Sequence, residues 1–336
     1  MTIGVAIWGA GWVAGAHVRA YLANAGLDTR VVAIGSRREE SARALAAQRG
    51  LQGVRFYTEY DQLLADPEVQ IVSLCTPNGQ HAYEAVTASQ AGKHLLIEKP
   101  VATTPDDFDA VVNAVERADV TASACFIQRW NPLVNALRTM REQGDFGRVF
   151  MAQADYWFGR ERPEWMRHAN SAGSSFLIGA IHAVDSMRYI LGADVVEVEA
   201  RGVQVGDYYH FVPAAQALVR YSNGAIGTIS SSLVGQTGYV LNMEIVGTDG
   251  SARNDQVYLK RIPGMQGWMT LPVPGPASGD VSQLPFPHLV EDLIRSIREG
   301  ATPRANLPST RNTHEVCFAV DRAIETGRAV ALPLDR

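Results

Sequence analysis

The sequence predicts an α/β protein, with a doubly wound parallel sheet in its N-terminal part and a following α+β domain built on a large, mostly antiparallel open sheet. Three observations lead to this fold class. A strand-like run, a glycine-rich turn and a helix-like run open the chain; strand-like and helix-like segments then alternate over the first third; and the remainder holds longer β segments separated by turn signals. Because 336 residues exceed the usual size of one domain, we expect two, at residues 1–125 and 126–336.

The opening segment has the features of a nucleotide-binding βαβ unit. The apolar run 3–8 precedes Gly9-Ala10-Gly11-Trp12-Val13-Ala14, and a helix-like stretch follows through Leu22. Gly9 permits a tight turn, and Gly11 has no side chain to hold a pyrophosphate away from the backbone. The phosphates would lie at the helix N-terminus, where free N–H groups favour negative charge. We assign dinucleotide binding to Gly9, Gly11, Trp12 and Val13; a purely structural glycine turn is the alternative.

Further strand-like segments in the first domain predict where other functional groups lie. They cover residues 30–35, 53–57, 70–75, 93–98 and 121–127, with helix-like stretches between them. One of these helices begins with Thr104 as its cap and Pro105 in its first turn. Because ligands bind beyond the carboxyl ends of parallel strands, we expect Asn78 and His81, after the fourth strand, on the nicotinamide side. Lys99 follows the fifth strand and should lie at the same edge of the sheet.

The second domain is predicted from β segments and two terminal helices. The β segments cover residues 148–158, 195–205, 214–221, 225–233 and 239–246. Between two of them, Asn223-Gly224 predicts a hairpin turn, because both residues tolerate positive φ. Apolar side chains at 289, 293, 294 and 297, and again at 316, 319, 320 and 323, recur at helical spacing. We interpret the Pro/Gly-rich stretch 263–287 as a surface loop of this domain.

Charge and composition exclude several functional classes. The formal net charge is −5, so we expect no broad basic surface for nucleic acid. No apolar stretch has the length of a membrane span, and the N-terminus lacks the basic segment of a signal peptide, which together predict a cytoplasmic protein. Cys75, Cys125 and Cys317 lack metal-site spacing and the eight histidines are dispersed, so we expect reduced thiols and no metal.

The residues after the second strand bear on cofactor choice. An NAD site would place an acid here to accept hydrogen bonds from the ribose, whereas this chain has Ser36-Arg37-Arg38. Serine can donate to a phosphate oxygen, and arginine offers a planar cationic fork that suits phosphate. The sequence therefore favours NADP(H), with NAD(H) possible. Alternatively, Arg37 and Arg38 are solvated residues beside Glu39 and Glu40, and NAD would serve equally.

Several motifs together resemble one family of enzymes. They are the glycine turn, Thr76-Pro77-Asn78, Glu98-Lys99-Pro100, Arg129-Trp130-Asn131-Pro132, His182 within a helix, and the stretch from Thr313-His314-Glu315 to Gly327-Arg328. In these motifs the chain resembles the Gfo/Idh/MocA oxidoreductases over nearly its whole length. The resemblance implies an N-terminal Rossmann domain, a C-terminal open sheet often used for oligomerisation, and hydride exchange between NAD(P) and a sugar, polyol or related compound.

The resemblance also implies roles for single residues. Lys99 would hydrogen-bond the reacting oxygen and His182 would assist proton transfer or bind substrate, although Lys99 by itself reads as an ordinary surface lysine. Arg129 would bind substrate, and Asp185 would hold the imidazole or a substrate hydroxyl unless it is simply a helix-surface residue. On the cofactor side the resemblance adds Thr76, Pro77, Asn78, His81, Glu98 and Lys99.

Substrate contacts are also expected from the aromatic and basic segment 156–162. Aromatic rings cover the C–H faces of sugars and arginines bind hydroxyls or carboxylates, which favours Trp157 and Arg160, with Trp165, Arg167 and His168 nearby. Alternation along a strand could instead bury one side of this segment in the core. Four residues before His182, many family members carry an acid where this chain has Ile178. A simple Asp–His relay is therefore in doubt, and that wall of the site becomes apolar.

We predict an NAD(P)-dependent dehydrogenase or reductase that acts on CH–OH groups of a carbohydrate-like substrate. One alternative is an enzyme of the same fold that retains its nucleotide and uses transient oxidation to promote elimination or glycoside cleavage. The other is a regulator that senses NAD(P) without turnover. An open sheet face in the second domain also predicts a homodimer or homotetramer.

Overall fold

The computed structural model describes residues 2–159, 163–274 and 284–335. These residues form two compact units. One contains residues 2–127 together with 284–309, and the other contains the described residues between 128 and 274 together with 310–335. The predicted division into domains between residues 125 and 126 stays a prediction, and residues 284–309 group with the first unit rather than with the sequence that precedes them.

The first unit is built on a parallel sheet, as predicted. Its described strands are β1 (Ile3–Trp8), β2 (Thr29–Gly35), β3 (Arg55–Tyr57), β4 (Ile71–Leu74), β5 (His94–Ile97) and β6 (Ala122–Ala124). They pair in the order β3-β2-β1-β4-β5-β6, and every pairing is parallel. The order reverses between β1 and β4, which are neighbours. Ligands of doubly wound sheets bind at such a reversal, outside the carboxyl ends of the strands.

Helices cover this sheet, and one of them carries the predicted start signals. They are α1 (Ala14–Ala23), α2 (Glu39–Gln48), α3 (Tyr60–Leu64), α4 (His81–Gln90), α5 (Pro105–Ala118) and, from the later part of the chain, α9 (Phe286–Glu299). The Thr104 hydroxyl accepts a hydrogen bond from the N–H of Asp107, which confirms the predicted cap of α5. Helix α9 packs on α1 and buries Leu289 and Leu293 there.

The second unit is built on a mixed sheet. Its described strands are β7 (Val149–Trp157), β8 (Val195–Val203), β9 (Ala214–Tyr221), β10 (Ile226–Ser232), β11 (Val240–Gly247), β12 (Gly250–Arg253), β13 (Gln256–Leu259), β14 (Met269–Thr270) and β15 (Val330–Ala331). They pair in the order β14-β13-β12-β11-β7-β10-β9-β8-β15; β7 and β10 run parallel and the other pairs antiparallel. The prediction of a large, mostly antiparallel sheet is confirmed.

The turn between β9 and β10 has the hairpin conformation that Asn223-Gly224 predicts. Gly224 has φ +84°, and the side-chain oxygen of Asn223 accepts a hydrogen bond from the N–H of Ala225 at 3.1 Å. The predicted hairpin is confirmed. On the outer face of these strands Met151, Leu218 and Ile226 are exposed. Assembly of copies through this face stays a prediction.

One face of the second sheet is covered by helices. The helices of this part of the chain are α6 (Pro132–Glu142), α7 (Ala169–Ala172), α8 (Ile181–Leu191) and α10 (Leu307–Thr326). A π-helical turn, Phe176–Ala180, leads directly into α8, which packs against β7 and α6. Among the described helices, none combines the length and the apolar character that a membrane crossing would require. The part of the predicted 263–287 loop at residues 275–283 lies outside the described residues.

Candidate active site

The glycine turn leaves the start of α1 open. Gly9 has φ +96°, and a Cβ there would lie 2.6 Å from the carbonyl oxygen of Cys75, so the turn requires glycine. A Cβ on Gly11 would meet no described atom within 4 Å, and no described side chain caps the helix at Val13. Trp12 is 63% exposed beside this opening. Uncapped N–H groups under open space form an arrangement that binds phosphate.

The loop after β2 carries the predicted phosphate ligands. Ser36 is half-buried, and its hydroxyl accepts a hydrogen bond from the N–H of Arg38 at 3.4 Å. Arg37 is exposed and forms no ion pair within the described part of the chain. Glu39, the acid beside it, is paired with Arg43 along α2. Arg37 is therefore available to a ligand.

His81 links two loops. Its side chain is completely buried, with Nδ1 2.7 Å from the carbonyl oxygen of Pro100 and Nε2 2.9 Å from that of Thr76. Burial lowers the pKa of the imidazole below its ordinary value. Because the ring already faces both loops, its predicted part in cofactor binding would work by holding Thr76 and Pro100 in place. Asn78 is also buried at the start of this loop, after Pro77.

The backbone of Lys99 is held by a buried network that sequence reasoning missed. Glu98 Oε2 accepts a hydrogen bond from the N–H of Lys99 at 3.1 Å, and Glu98 Oε1 lies 3.1 Å from His17 Nε2. His17 Nδ1 in turn lies 2.6 Å from the hydroxyl of Ser73 on β4. Burial alone would raise the pKa of Glu98, but the hydrogen bond and charge of His17 and the charge of Lys99 bring it below its ordinary value. Glu98 is therefore ionised and suited to orienting Lys99.

The three cysteines are reduced, and one of them lies near the network around Glu98. Cys75, Cys125 and Cys317 are free and buried. Cys125 Sγ lies 3.8 Å from His17 Nε2, and ligand atoms of His17, Glu98 and Cys125 fall within 4.8 Å of one another. The sequence spacing gave no sign of this group. Because His17 and Glu98 already contact each other directly, the absence of a metal stays our prediction.

In the second unit, Tyr156 rather than Trp157 lies against His182. The rings of Tyr156 and His182 are 5.9 Å apart, and a Cβ on Gly179 would lie 2.7 Å from Tyr156 Cδ1. The ring of Tyr239 meets Tyr156 edge-on at 5.3 Å. Tyr239 is a residue that sequence reasoning missed. Tyr156 belongs to the segment 156–162 expected to contact substrate, but Trp157 was favoured over it, and the alternation along β7 is the signal that separates the two.

Trp157 points to the other face of the sheet. Its indole N–H donates to the hydroxyl of Ser230 at 2.6 Å, and that hydroxyl donates to Asp155 Oδ1 at 2.6 Å. The structure therefore does not bring Trp157 together with His182, and its predicted substrate contact lacks support from position. Arg160 lies outside the described residues. Arg167 is engaged locally, donating to the carbonyl oxygen of Tyr208 at 2.8 Å.

Arg129 and Asp185 contact each other. Arg129 Nε and Nη2 donate to the two oxygens of Asp185 at 2.9 and 2.7 Å, and both side chains are buried. Thr313 donates to Asp185 at 2.9 Å, and Arg188 donates to Thr313 at 2.6 Å. Burial alone would raise the pKa of Asp185, but Arg129 brings it below its ordinary value. Their substrate roles stay predictions; the geometry shows an internal ion pair.

The helix that carries His182 is buried on more sides than its sequence suggested. His182 is 6% exposed, and Asp185 and Ser186 are completely buried. The alternative that Asp185 is simply a helix-surface residue is therefore wrong. Ile178 lies buried in the π-helical turn before the helix, so its side chain adds to the apolar surroundings.

Comparison with known proteins identifies the family. Residues 3–126 match the model described as the oxidoreductase family with an NAD-binding Rossmann fold, and residues 134–253 match the GFO/IDH/MocA C-terminal domain. The chain belongs to the Gfo/Idh/MocA family. These matches confirm the predicted family and its NAD-binding Rossmann domain.

Three individual relatives share at most 30% of their residues with this chain over the aligned segments. The uncharacterized oxidoreductase YrbE of Bacillus subtilis is 30% identical over 207 residues, which cover 59% of each chain. The myo-inositol 2-dehydrogenase of Thermotoga maritima is 28% identical over 239 residues, covering 68% of this chain and 69% of that protein. A solved levoglucosan dehydrogenase in complex with NADH shares the fold over the full length of both chains, with a TM-score of 0.90 and 22% identity. The first curated relative is thus matched over less than two thirds of its length.

Proposed function

We propose that the protein transfers a hydride between NAD(P) and a CH–OH carbon of a sugar, polyol or keto-sugar. The observation that carries this proposal is the carboxyl-end edge of the first sheet, where the open glycine turn follows β1 and the Lys99 loop fixed by Glu98 follows β5, with β4 between them. The names of related proteins, a myo-inositol 2-dehydrogenase and a levoglucosan dehydrogenase among them, support the substrate class.

The described residues fit a dinucleotide. Gly9, Gly11 and the uncapped start of α1 would hold its phosphates, and Ser36 with Arg37 would hold the adenosine ribose. The loops at Thr76 and Lys99 would border the nicotinamide. A bound nicotinamide supplies the hydride donor or acceptor.

The proton chemistry falls to side chains of the chain. The Lys99 ammonium would donate a hydrogen bond to the reacting oxygen, polarising a carbonyl during reduction and, once neutral, accepting a proton during alcohol oxidation. His182 would bind a substrate hydroxyl or exchange a proton with it. Glu98 keeps the Lys99 backbone in position and stays ionised, so it orients the lysine without carrying protons.

The direct test is nicotinamide absorbance at 340 nm during turnover. We expect turnover with at least one member of a panel of monosaccharides, inositols and keto-sugars, offered with NADP(H) and NAD(H) in parallel. Failure across the panel, with no nucleotide released on denaturation of the purified protein, would contradict the proposal. Failure with nucleotide retained through gel filtration would instead indicate an enzyme that recycles a bound cofactor.

Replacement of Arg37 by alanine is expected to weaken NADPH binding at least about tenfold and NADH binding by less than about twofold. The reason is that a 2′-phosphate gains a charge-assisted hydrogen bond from Arg37, whereas a ribose hydroxyl does not. Fluorescence titration of both nucleotides measures the effect. Arg43→Ala on the following helix α2, where the arginine pairs with Glu39, is the control. Equal losses for the two nucleotides would overturn the phosphate role of Arg37.

A further inference from the structure

A buried carboxylate joins the two strands where the first sheet reverses its order. Glu84, on α4, is 5% exposed. Its Oε1 accepts a hydrogen bond from the indole N–H of Trp8 at 2.7 Å, and its Oε2 is hydrogen-bonded to the hydroxyl of Thr76. Trp8 is the last residue of β1, directly before Gly9, and Thr76 follows β4. One side chain thus ties together the two loops that flank the proposed dinucleotide site.

The cluster formed by Glu84, Trp8 and Thr76 also contacts the end of β2, directly before the loop that follows it. The Trp8 ring lies over Gly35, where a Cβ would be 2.2 Å from Trp8 Cε3. It also lies 4.7 Å from the ring of Tyr60, whose hydroxyl donates to the carbonyl oxygen of Glu84 at 2.9 Å. Gly35 directly precedes Ser36. A change at Glu84 would therefore affect the loops after β1, β2 and β4, to which we assign parts of the cofactor.

Glu84 is buried without a cationic partner among the described residues. The titratable groups that interact with it are Tyr60 on α3 and Cys75 after β4; Asp61 on α3 and Tyr83 on α4 lie beside Tyr60. Burial raises the pKa of Glu84 to about 7, against the lowering effect of the hydrogen bonds from Thr76 and Trp8. Both protonation states are therefore populated near neutral pH.

We propose that Glu84 is a positioning residue that decides whether the Thr76 hydroxyl offers a hydrogen or only lone pairs to the dinucleotide. An ionised carboxylate only accepts, so Thr76 must donate to it. A protonated Glu84 donates to Thr76 Oγ1, which frees the threonine hydrogen, while Oε1 continues to accept from Trp8. Phosphate and carbonyl oxygens of a dinucleotide accept hydrogen bonds, so the complex favours protonated Glu84. This inference rests on the proposed cofactor site.

The test is the pH dependence of dinucleotide affinity. For the wild-type protein we expect the dissociation constant of NADH to rise about tenfold between pH 6 and pH 9, the value of one hydrogen bond. For Glu84→Gln we expect a dissociation constant of NADH that does not change between pH 6 and pH 9, because its amide N–H donates to Thr76 and its oxygen accepts from Trp8 at every pH. Glu116→Gln, at an exposed position of α5, is the matched control and should keep the wild-type profile.

The outcomes separate this inference from the proposed function. A Glu84→Gln protein that keeps the wild-type pH dependence overturns the role of Glu84, and so does a wild-type profile that is flat. NADPH serves as a second probe. Its 2′-phosphate titrates in the same pH range, but it does so with both proteins, so the difference between wild type and Glu84→Gln reports Glu84 alone. If the wild-type protein binds neither nucleotide, the proposed function fails instead. Should Glu84→Gln not fold, Thr76→Val must give the flat profile, and a steep one overturns the inference.

Discussion

Replacement of Lys99 by alanine is expected to lower kcat at least about a hundredfold, because a positioned proton donor or acceptor contributes about 10²–10⁴ to the rate. The dissociation constant of the dinucleotide should change by less than about twofold. The backbone of Lys99 is held through its N–H by Glu98, and this hydrogen bond does not need the lysine side chain. Steady-state kinetics and nucleotide titration of the same preparation measure both quantities.

Two further variants sharpen this prediction. Lys99→Arg keeps a cation but almost never loses its proton, so it should retain substrate binding while failing to recover kcat for alcohol oxidation. Lys260→Ala removes an exposed lysine that pairs with Asp249 and should behave as wild type. A Lys99→Ala protein with undiminished turnover would remove Lys99 from the mechanism, whatever the family relationship suggests.

The parts of the fold that the sequence predicted are those set by local chemistry. The glycine turn at Gly9, the cap at Thr104 and the hairpin at Asn223-Gly224 each depend on residues a few positions apart. The periodicity of apolar residues then predicted whole strands and helices. The carboxyl-end rule then predicted Asn78, His81 and Lys99 at one edge of the sheet, and β4 and β5, which they follow, are parallel neighbours.

The features that were not predicted depend on which side of the sheet a strand residue faces and on contacts between residues far apart in the sequence. Residues 156–158 are all aromatic, so their hydrophobicity does not reveal which of them faces α8; the sheet decides in favour of Tyr156. His17 and Glu98 are 81 positions apart and meet only when the sheet is assembled. Likewise, a helical wheel places Asp185 of helix α8 toward water, and it is buried because Arg129 and Thr313 supply its partners.

Asp185→Ala is expected to lower the free energy of unfolding by about 3–5 kcal/mol at pH 7, because it leaves the guanidinium of Arg129 buried without its counter-charge. Both side chains are almost inaccessible, and the bidentate contact is the strongest type of such pair. Urea denaturation followed by circular dichroism measures the loss. Glu197→Ala, which removes an exposed partner of Arg220, should leave the midpoint unchanged.

The pH dependence of this loss has a definite sign. The pKa of Asp185 is depressed in the folded protein, so its contribution is complete above the ordinary pKa of aspartate, about 4. It disappears as the pH falls through the lower folded value. The difference between wild type and Asp185→Ala should therefore be constant from pH 6 to pH 8 and shrink in acid.

The same pair of residues decides between two roles that the sequence left open. If Arg129 and Asp185 form an internal ion pair, the double variant Arg129→Met/Asp185→Leu should recover most of the lost stability, since apolar side chains of similar size replace buried ion pairs well. If instead they bind substrate, Asp185→Ala should fold with nearly wild-type stability and show a raised KM. A stable Asp185→Ala protein with a raised KM would return both residues to the substrate site.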